Sequence, residues 1–147
     1  MKNSRNILIT GAAGFIGAAL SIKLLKRGEN VIGIDNLNKY YDPNLKKLRL
    51  FEINKFAKEF SGKWNFHQLS IENHNKLQEV ADRYSPEIVV NLAAQAGVRY
   101  SIKNPSVYVS TNLTGFNNVI ECCRNYLIKN FIYASSSSVY GGNKKIP

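Results

Sequence analysis

Three glycines and an aspartate are the residues whose types and spacing most clearly could do chemistry. Gly11, Gly14 and Gly17 follow the apolar residues 7–9. Gly11 allows a sharp turn out of a strand, Gly14 leaves room for phosphates at the backbone, and Gly17 lets the next helix lie close to the strand. The N-terminus of that helix would offer unpaired N–H groups to an anion. Asp35, about 20 positions further on, completes the spacing of a dinucleotide site, in which it would accept the adenosine ribose hydroxyls.

The carboxylate of Asp35 predicts which dinucleotide is bound. It accepts hydrogen bonds from both ribose hydroxyls and repels a 2′-phosphate, so NAD is favoured over NADP. Lys39 is the only cation that the sequence places nearby, and we expect it in the loop after the second strand. An ordinary strand-to-helix turn and a turn-forming aspartate are the alternatives for these residues.

Three further polar groups could act beside such a cofactor. Asn112 falls inside a predicted helix, where an amide is unfavourable unless bonded, so we expect it to bind backbone at the strand ends; the alternative is a solvated asparagine. The hydroxyls of residues 135–138 could bond a substrate hydroxyl and pass its proton. Arg99 could pair with a phosphate or carboxylate, or could be solvated. His67 and His74 fall outside the strand-end loops and are interpreted as structural.

The elements that must position these residues alternate between strands and helices. Strands are predicted at residues 6–10, 31–35, 64–69, 87–92 and 130–134, helices at 14–27, 43–60, 73–84 and 104–126, and a loop at 93–100. This alternation predicts an α/β fold with a Rossmann-type doubly wound parallel sheet in the order 3-2-1-4-5. Ligands bind outside the carboxyl ends of such strands, where the glycines, Asp35, Arg99 and the serines all fall.

Composition limits the class of protein. The 147 residues suit one domain, and 44% of them are hydrophobic, which is enough for a core. There is no apolar run long enough for a membrane span, and the basic residues 1–5 lead into a strand instead of a signal peptide. Cys122 and Cys123 are adjacent in a helical pattern, which does not suit a disulfide framework or a metal site. We therefore expect a cytoplasmic protein with no metal.

The net charge of +10 raises nucleic acid as a possible partner. The lysines are spread along the chain, however, and no nucleic-acid motif accompanies them. We expect no specific nucleic-acid binding, although such a surface would help to attract an anionic substrate.

Four strings, at residues 9–17, 33–43, 92–101 and 133–141, together resemble the extended short-chain dehydrogenase/reductase family. Within its NAD-dependent epimerase/dehydratase members, the chain is most similar to the UDP-glucuronate 4-epimerases. The resemblance covers essentially the whole chain. It implies NAD as cofactor, a UDP-uronate or other nucleotide sugar as substrate, a homodimer for the full-length form, and epimerisation by transient oxidation at sugar C4.

The resemblance also implies roles for individual residues. The cofactor-binding residues would be Gly11, Gly14, Phe15, Ile16, Gly17, Asp35, Asn36, Ser70, Ile71, Ala93, Ala94, Gln95 and Asn112. Ser136 and Ser137 would be catalytic, and Ser138 would contact the substrate. Arg99 is also predicted to contact the substrate, because its guanidinium is expected to face the cleft. At position 70 the family usually has an aspartate that is bonded near the adenine. Serine carries no charge, so the departure predicts weaker binding of adenine.

A second departure concerns the catalytic base. The family uses a tyrosine followed four positions later by a lysine. In the family these two residues lie farther beyond the serines than Pro147, the last residue of this sequence. Tyr140 and Lys144 match the spacing, but Gly141 and Gly142 between them would not hold the helix that brings such a pair together. We therefore expect residues 1–147 to be an incomplete NAD-binding Rossmann domain, truncated before the last strands, without the C-terminal substrate-binding region and inactive alone.

Other functions are compatible with the same motifs. A dehydratase or decarboxylase of the same family would use the same scaffold, but a dehydratase usually has acidic residues where Ser137 and Ser138 stand. A non-catalytic nucleotide-binding module, such as half of a split protein, is an alternative hypothesis from a different functional class.

Overall fold

The computed structural model describes residues 4–143, and a five-stranded parallel sheet lies at its centre. Its strands are β1 (Asn6–Thr10), β2 (Asn30–Asp35), β3 (Trp64–Gln68), β4 (Ile88–Asn91) and β5 (Asn130–Tyr133). Their order is β3-β2-β1-β4-β5, which confirms the predicted order, and each neighbouring pair is parallel. The fold is therefore a Rossmann-type doubly wound α/β fold, in which the sheet extends to both sides of β1.

Helices cover both faces of this sheet. The α-helices are α1 (Phe15–Lys26), α2 (Pro43–Ala57), α3 (His74–Tyr84), α4 (Val98–Lys103), α5 (Pro105–Tyr108) and α6 (Phe116–Asn125). A π-helical segment (Val109–Gly115) joins α5 to α6, and a 3-10 turn (Ser137–Tyr140) follows β5. Among residues 4–143, none of the helices combines the length and the apolar character needed to cross a membrane.

Successive residues of β1 enter two hydrophobic cores, one on each face of the sheet. Leu8 packs in one core with Val119 of α6, and Ile9 packs in the other with Leu25 of α1. All four side chains are at most 1% exposed. A strand covered on both faces reads as a continuous apolar run, which is why the pattern of residues 7–9 predicted it correctly.

The start of α2 confirms its predicted cap, whereas its end lies earlier than expected. Asp42 Oδ1 accepts a hydrogen bond from the backbone N–H of Asn44 at 2.9 Å, and Pro43 occupies the first helical position. The helix ends at Ala57 instead of residue 60. The N–H groups of Lys58 and Glu59 bond to carbonyls three residues back, so the last turn tightens and does not continue.

The segment after β4 corrects the sequence prediction in two places. Part of the predicted loop 93–100 forms α4, so Arg99 lies in a helix, which begins after Gly97 with a φ of 98°. A six-residue helix is too short to show a period in the sequence. The long helix predicted at 104–126 is interrupted by the π-helical segment, whose wider turns depart from the period of 3.6 residues.

His67 and the two cysteines pack against other parts of the fold and do not line the cavity at the carboxyl edge of the sheet. His67 Nε2 lies 3.1 Å from the hydroxyl of Tyr84. Cys122 and Cys123 are free thiols in α6, and burial raises their pKa values to about 11 and about 12, which leaves both protonated at neutral pH. Within the described range 4–143, no three His, Cys, Asp or Glu side chains are grouped so that they could hold a metal ion.

Candidate functional site

The glycine turn (residues 11–17) is built so closely that side chains are excluded from it. Gly11 has a φ of 68°, and a Cβ there would lie 2.8 Å from the backbone nitrogen of Ala93. A Cβ on Gly17 would come closer than 3.0 Å to the carbonyl oxygen of Gly11 and 2.9 Å from Cα of Ala12. The N-terminus of α1 therefore lies directly on the end of β1, and its first N–H groups face the carboxyl edge of the sheet.

A cavity of about 540 Å³ opens at this edge, beside the point where the strand order changes direction. Many of the predicted cofactor-binding residues line it: Gly11, Gly14, Phe15, Asp35, Asn36, Ser70, Ile71, Ala93, Ala94 and Gln95. They come from the ends of four different strands, so the fold gathers residues that are far apart in the sequence. The volume falls within the range of small-molecule and cofactor sites.

Asp35 lies in this cavity as a buried carboxylate with three partners. Its Oδ2 accepts from the N–H of Ala13 at 3.2 Å, and its Oδ1 accepts from the N–H of Leu37 at 2.8 Å. Lys46 Nζ donates to Oδ1 at 3.2 Å, and both side chains of this ion pair are 6% exposed. Asp35 therefore links the glycine turn, the end of β2 and α2.

Lys46 corrects the expectation that Lys39 is the only cation near Asp35. Lys46 is buried in α2, where it also donates to Asn38 Oδ1 at 3.1 Å. Arg49, three residues later, donates to the carbonyl of Ala13 at 3.2 Å and to the hydroxyl of Tyr41 at 3.0 Å. Two cations at this spacing on a helix share one face, but the spacing alone does not show that this face packs against Asp35 and the glycine turn.

Thr10 is a further residue that sequence reasoning missed. Its hydroxyl donates to Asn91 Oδ1 at 2.6 Å, across the ends of β1 and β4. The same oxygen accepts from the N–H groups of Leu92 at 3.2 Å and Ala93 at 3.1 Å. Thr10 is completely buried and fixes the beginning of the loop that lines the cavity after β4.

Asn112 holds the next part of that loop, as its position in a helix predicted. Its Oδ1 accepts from the backbone N–H of Gln95 at 2.8 Å, and its Nδ2 donates to the carbonyl of Gln95 at 2.9 Å. One amide therefore satisfies both backbone groups of a residue outside regular structure. Asn112 itself does not line the cavity and acts through Gln95.

Replacing Asn112 by alanine should lower the free energy of unfolding by about 1–3 kcal/mol, because both backbone groups of Gln95 lose their partner. Urea unfolding followed by circular dichroism measures this change. The matched control is Asn117→Ala, an exposed asparagine in α6, for which we expect a change within about 0.5 kcal/mol. Equal effects of the two substitutions would contradict the role given to Asn112.

Several of the predicted residues do not line the cavity. Ile16 is 62% exposed on α1, and Gly17 lies beneath the turn. Arg99 is exposed on α4, and the exposed serines 136–138 follow the end of β5. The cavity is therefore lined by residues that follow β1 to β4, and the predicted catalytic and substrate residues are not among those that line it.

The remaining candidate for a base pair falls partly outside the structure. Tyr140 is 61% exposed and ends the 3-10 turn, where it is followed by Gly141 with a φ of 55°. Lys144, like residues 1–3 and 145–147, lies outside the described residues. No α-helix carries Tyr140, which agrees with the rejection of this tyrosine as part of a helical Tyr-x-x-x-Lys pair.

The doubly wound sheet, the glycine turn and the buried Asp35 at the cavity together define a dinucleotide-binding domain. The sequence model of the NAD dependent epimerase/dehydratase family matches residues 7–147, and the chain belongs to that family. The cofactor of the family is NAD.

Individual relatives agree with this assignment. Protein CapI of Staphylococcus aureus is 52% identical over 141 residues, which are 96% of this chain and 40% of that protein. A UDP-glucuronate 4-epimerase of Thermodesulfobacterium geofontis is 44% identical over 135 residues, which are 92% of this chain and 40% of that protein. The chain therefore spans about two fifths of the length of these curated relatives.

A solved structure shows the same fold with the cofactor present. The crystal structure of UDP-glucose 4-epimerase from Brucella ovis in complex with NAD matches 98% of this chain and 39% of its own chain. The TM-score is 0.78 and the sequence identity is 26%.

Proposed function

We propose that the cavity binds NAD with its pyrophosphate against the glycine turn and its adenosine ribose on Asp35. The observation that carries this proposal is a glycine turn in which a Cβ on Gly11 or Gly17 would collide with backbone atoms, combined with a buried carboxylate at the end of the neighbouring strand. The N-terminus of α1 supplies N–H groups and a partial positive charge for the phosphates. The residues present thus fit the cofactor.

The carboxylate of Asp35 beside the ribose favours NAD over NADP in this proposal. Asp35 would accept hydrogen bonds from the ribose hydroxyls, and its third partner, Lys46 of α2, holds the carboxylate in place. A 2′-phosphate would meet the carboxylate at close range. Both oxygens of Asp35 are already oriented by backbone N–H groups, so the site needs little reorganisation when the cofactor binds.

We further propose that the protein to which this domain belongs is a nucleotide-sugar 4-epimerase that acts on a UDP-uronate, and hence an isomerase of carbohydrate metabolism. The support is the four strings described above and the 44% identity to the Thermodesulfobacterium geofontis enzyme. When bound, NAD would supply reversible hydride transfer at sugar C4, which is the chemistry that a 4-epimerase needs. Ser136 and Ser137 would bond the reacting hydroxyl, and Arg99 and Ser138 would bind the substrate. Ser137 and Ser138, in place of acidic residues, favour this activity over a dehydratase.

We also propose that the full-length protein is cytoplasmic, as the composition of this chain indicates, and a homodimer, as the family resemblance implies. The exposed apolar residues of the helices after β4 give this proposal a physical basis: Ile102, Val109, Leu113 and Ile120. A homodimer that buries these residues would remove apolar surface from water.

The test separates cofactor binding from catalysis. In calorimetry, the 147-residue chain should bind NAD with more heat and higher affinity than NADP. With UDP-glucuronate and NAD it should form no 4-epimer, because the described residues contain no helical Tyr-x-x-x-Lys pair to remove the hydroxyl proton. Chromatography of the sugar nucleotides measures the product, and the Thermodesulfobacterium geofontis enzyme is the positive control. Absence of NAD binding would refute the cofactor site, and product from the chain alone would refute the proposed division of roles.

A further inference from the structure

The carboxylate of Glu72 collects three hydroxyl groups at one wall of the cavity. Ser70 Oγ donates to Oε2 at 2.9 Å, whereas Ser110 Oγ and Thr111 Oγ1 donate to Oε1 at 2.8 Å and 2.6 Å. Ser70 and Thr111 also line the cavity. Glu72 thus ties the loop after β3 to the π-helical segment.

These bonds fix the direction of the hydroxyl protons. A hydroxyl has one proton and two lone pairs, and an ionised carboxylate can only accept. Burial acts to raise the pKa of Glu72, but the hydrogen bonds from Thr111, Ser110 and Ser70 together lower it below its ordinary value, so the group is ionised at neutral pH. Since their protons point to Glu72, Ser70 and Thr111 can offer only lone pairs to a ligand.

The geometry of the sheet shows which part of a dinucleotide would meet these lone pairs. Asp35 ends β2. The glycine turn, where the phosphates would bind, lies on one side of Asp35, at the end of β1. On the other side is β3, where Asp35 pairs with Gln68 and the N–H of Leu69 donates to the carbonyl of Asp35 at 3.2 Å. A nucleotide with its ribose on Asp35 therefore directs its base toward Ser70. The apolar residues Leu69 and Ile71, on either side of Ser70 in the chain, also line the cavity.

We infer that Glu72 determines the base specificity of the site by orienting Ser70 and Thr111 as hydrogen-bond acceptors. A base with an exocyclic amino group, such as adenine, can donate to them. A base with a carbonyl at that position, such as hypoxanthine, meets acceptor against acceptor. Glu72 is thus a positioning residue, and this inference rests on the proposed binding of NAD.

Serine at position 70 therefore does not remove the negative charge from the base-binding end of the cavity. On the family resemblance alone, the loss of an aspartate predicts weaker adenine binding. In this chain a carboxylate stands two residues later and acts through the serine hydroxyl. The negative charge is therefore kept near the base, and the acceptor that faces the cavity is the polarised Ser70 oxygen.

Calorimetry with NAD and with nicotinamide hypoxanthine dinucleotide, on the 147-residue chain, tests this inference. Wild type should bind NAD about tenfold more tightly, the difference between one hydrogen bond made and one acceptor left unpaired. In Glu72→Gln, an amide NH₂ in the place of Oε2 would donate to Ser70 and release its proton toward the cavity. The preference should fall to about twofold or less. Glu79→Gln, an exposed residue of α3, should keep the wild-type preference.

The ratio of the two affinities, not either affinity alone, is the readout, because a merely structural role would weaken both ligands together. If Glu72→Gln does not fold, Ser70→Ala provides the same test by removing the acceptor, and the preference should again fall. A wild-type ratio near one, or an unchanged ratio in the folded variants, would overturn this inference while leaving NAD binding in place. Binding of neither dinucleotide by wild type would overturn the proposed function as well.

Discussion

Asp35→Asn should lower the free energy of unfolding by about 3–5 kcal/mol and abolish measurable NAD binding. The substitution leaves the ammonium of Lys46 buried without its countercharge, since both side chains are 6% exposed. An unpaired buried charge costs far more than the net value of the ion pair. Urea unfolding monitored by circular dichroism measures the first effect, and calorimetry with NAD measures the second.

A double variant separates stability from binding. Asp35→Asn combined with Lys46→Met removes both charges and should recover most of the lost stability without recovering NAD binding. Asp42→Asn is the matched control, because Asp42 is an exposed cap that asparagine can replace, and the change should stay within about 0.5 kcal/mol. A single Asp35→Asn variant that unfolds at the wild-type urea concentration would contradict the buried ion pair.

Gly17→Ala should lower the free energy of unfolding by about 3 kcal/mol and weaken NAD binding by at least about tenfold. The added Cβ would meet only backbone atoms, of Gly11 and Ala12, and no flexible side chain could move aside. The N-terminus of α1 would have to move away from β1, and its N–H groups would leave the phosphate position. Thermal unfolding and calorimetry measure the two effects.

Gly142→Ala is the control for this substitution. Gly142 is exposed, and a Cβ there would have no atom of residues 4–143 within 4 Å, so both stability and NAD affinity should stay at wild-type values. The same comparison tests whether close packing, and not the loss of glycine as such, explains the Gly17 effect. Wild-type affinity for NAD in Gly17→Ala would show that the turn tolerates a wider separation.

The sheet could be predicted from sequence because β1 and β2 are buried on both faces. Their runs of apolar residues, at 7–9 and 31–34, are followed directly by the glycine turn and by Asp35. A continuous apolar run indicates that a strand is buried on both faces, and the residue that ends the run marks the edge of the sheet where ligands bind. The role of Asn112 was also predictable, because an asparagine inside a helix is unfavourable unless its amide has a hydrogen-bond partner.

Lys46 and Thr10 could not be found in the same way. A lysine on a helix is normally solvated, and only the tertiary position of α2 buries Lys46 against Asp35. Thr10 fits a β-strand by propensity alone, so its bonds to the ends of β4 leave no separate signal in the sequence. Both residues depend on contacts between elements, which a period or a motif does not record.

The π-helical segment determines how the residues before α6 are rotated about the helix axis relative to the residues of α6. Ser110, Thr111 and Asn112 face the loops around the cavity, whereas Val119 and Cys122 enter the core. Each residue added to or removed from a helix rotates everything beyond it by about 100°. Deleting a single position between 109 and 115 would therefore turn one face away from its partners, whatever residue was lost. This stretch is constrained in its length more than in its composition.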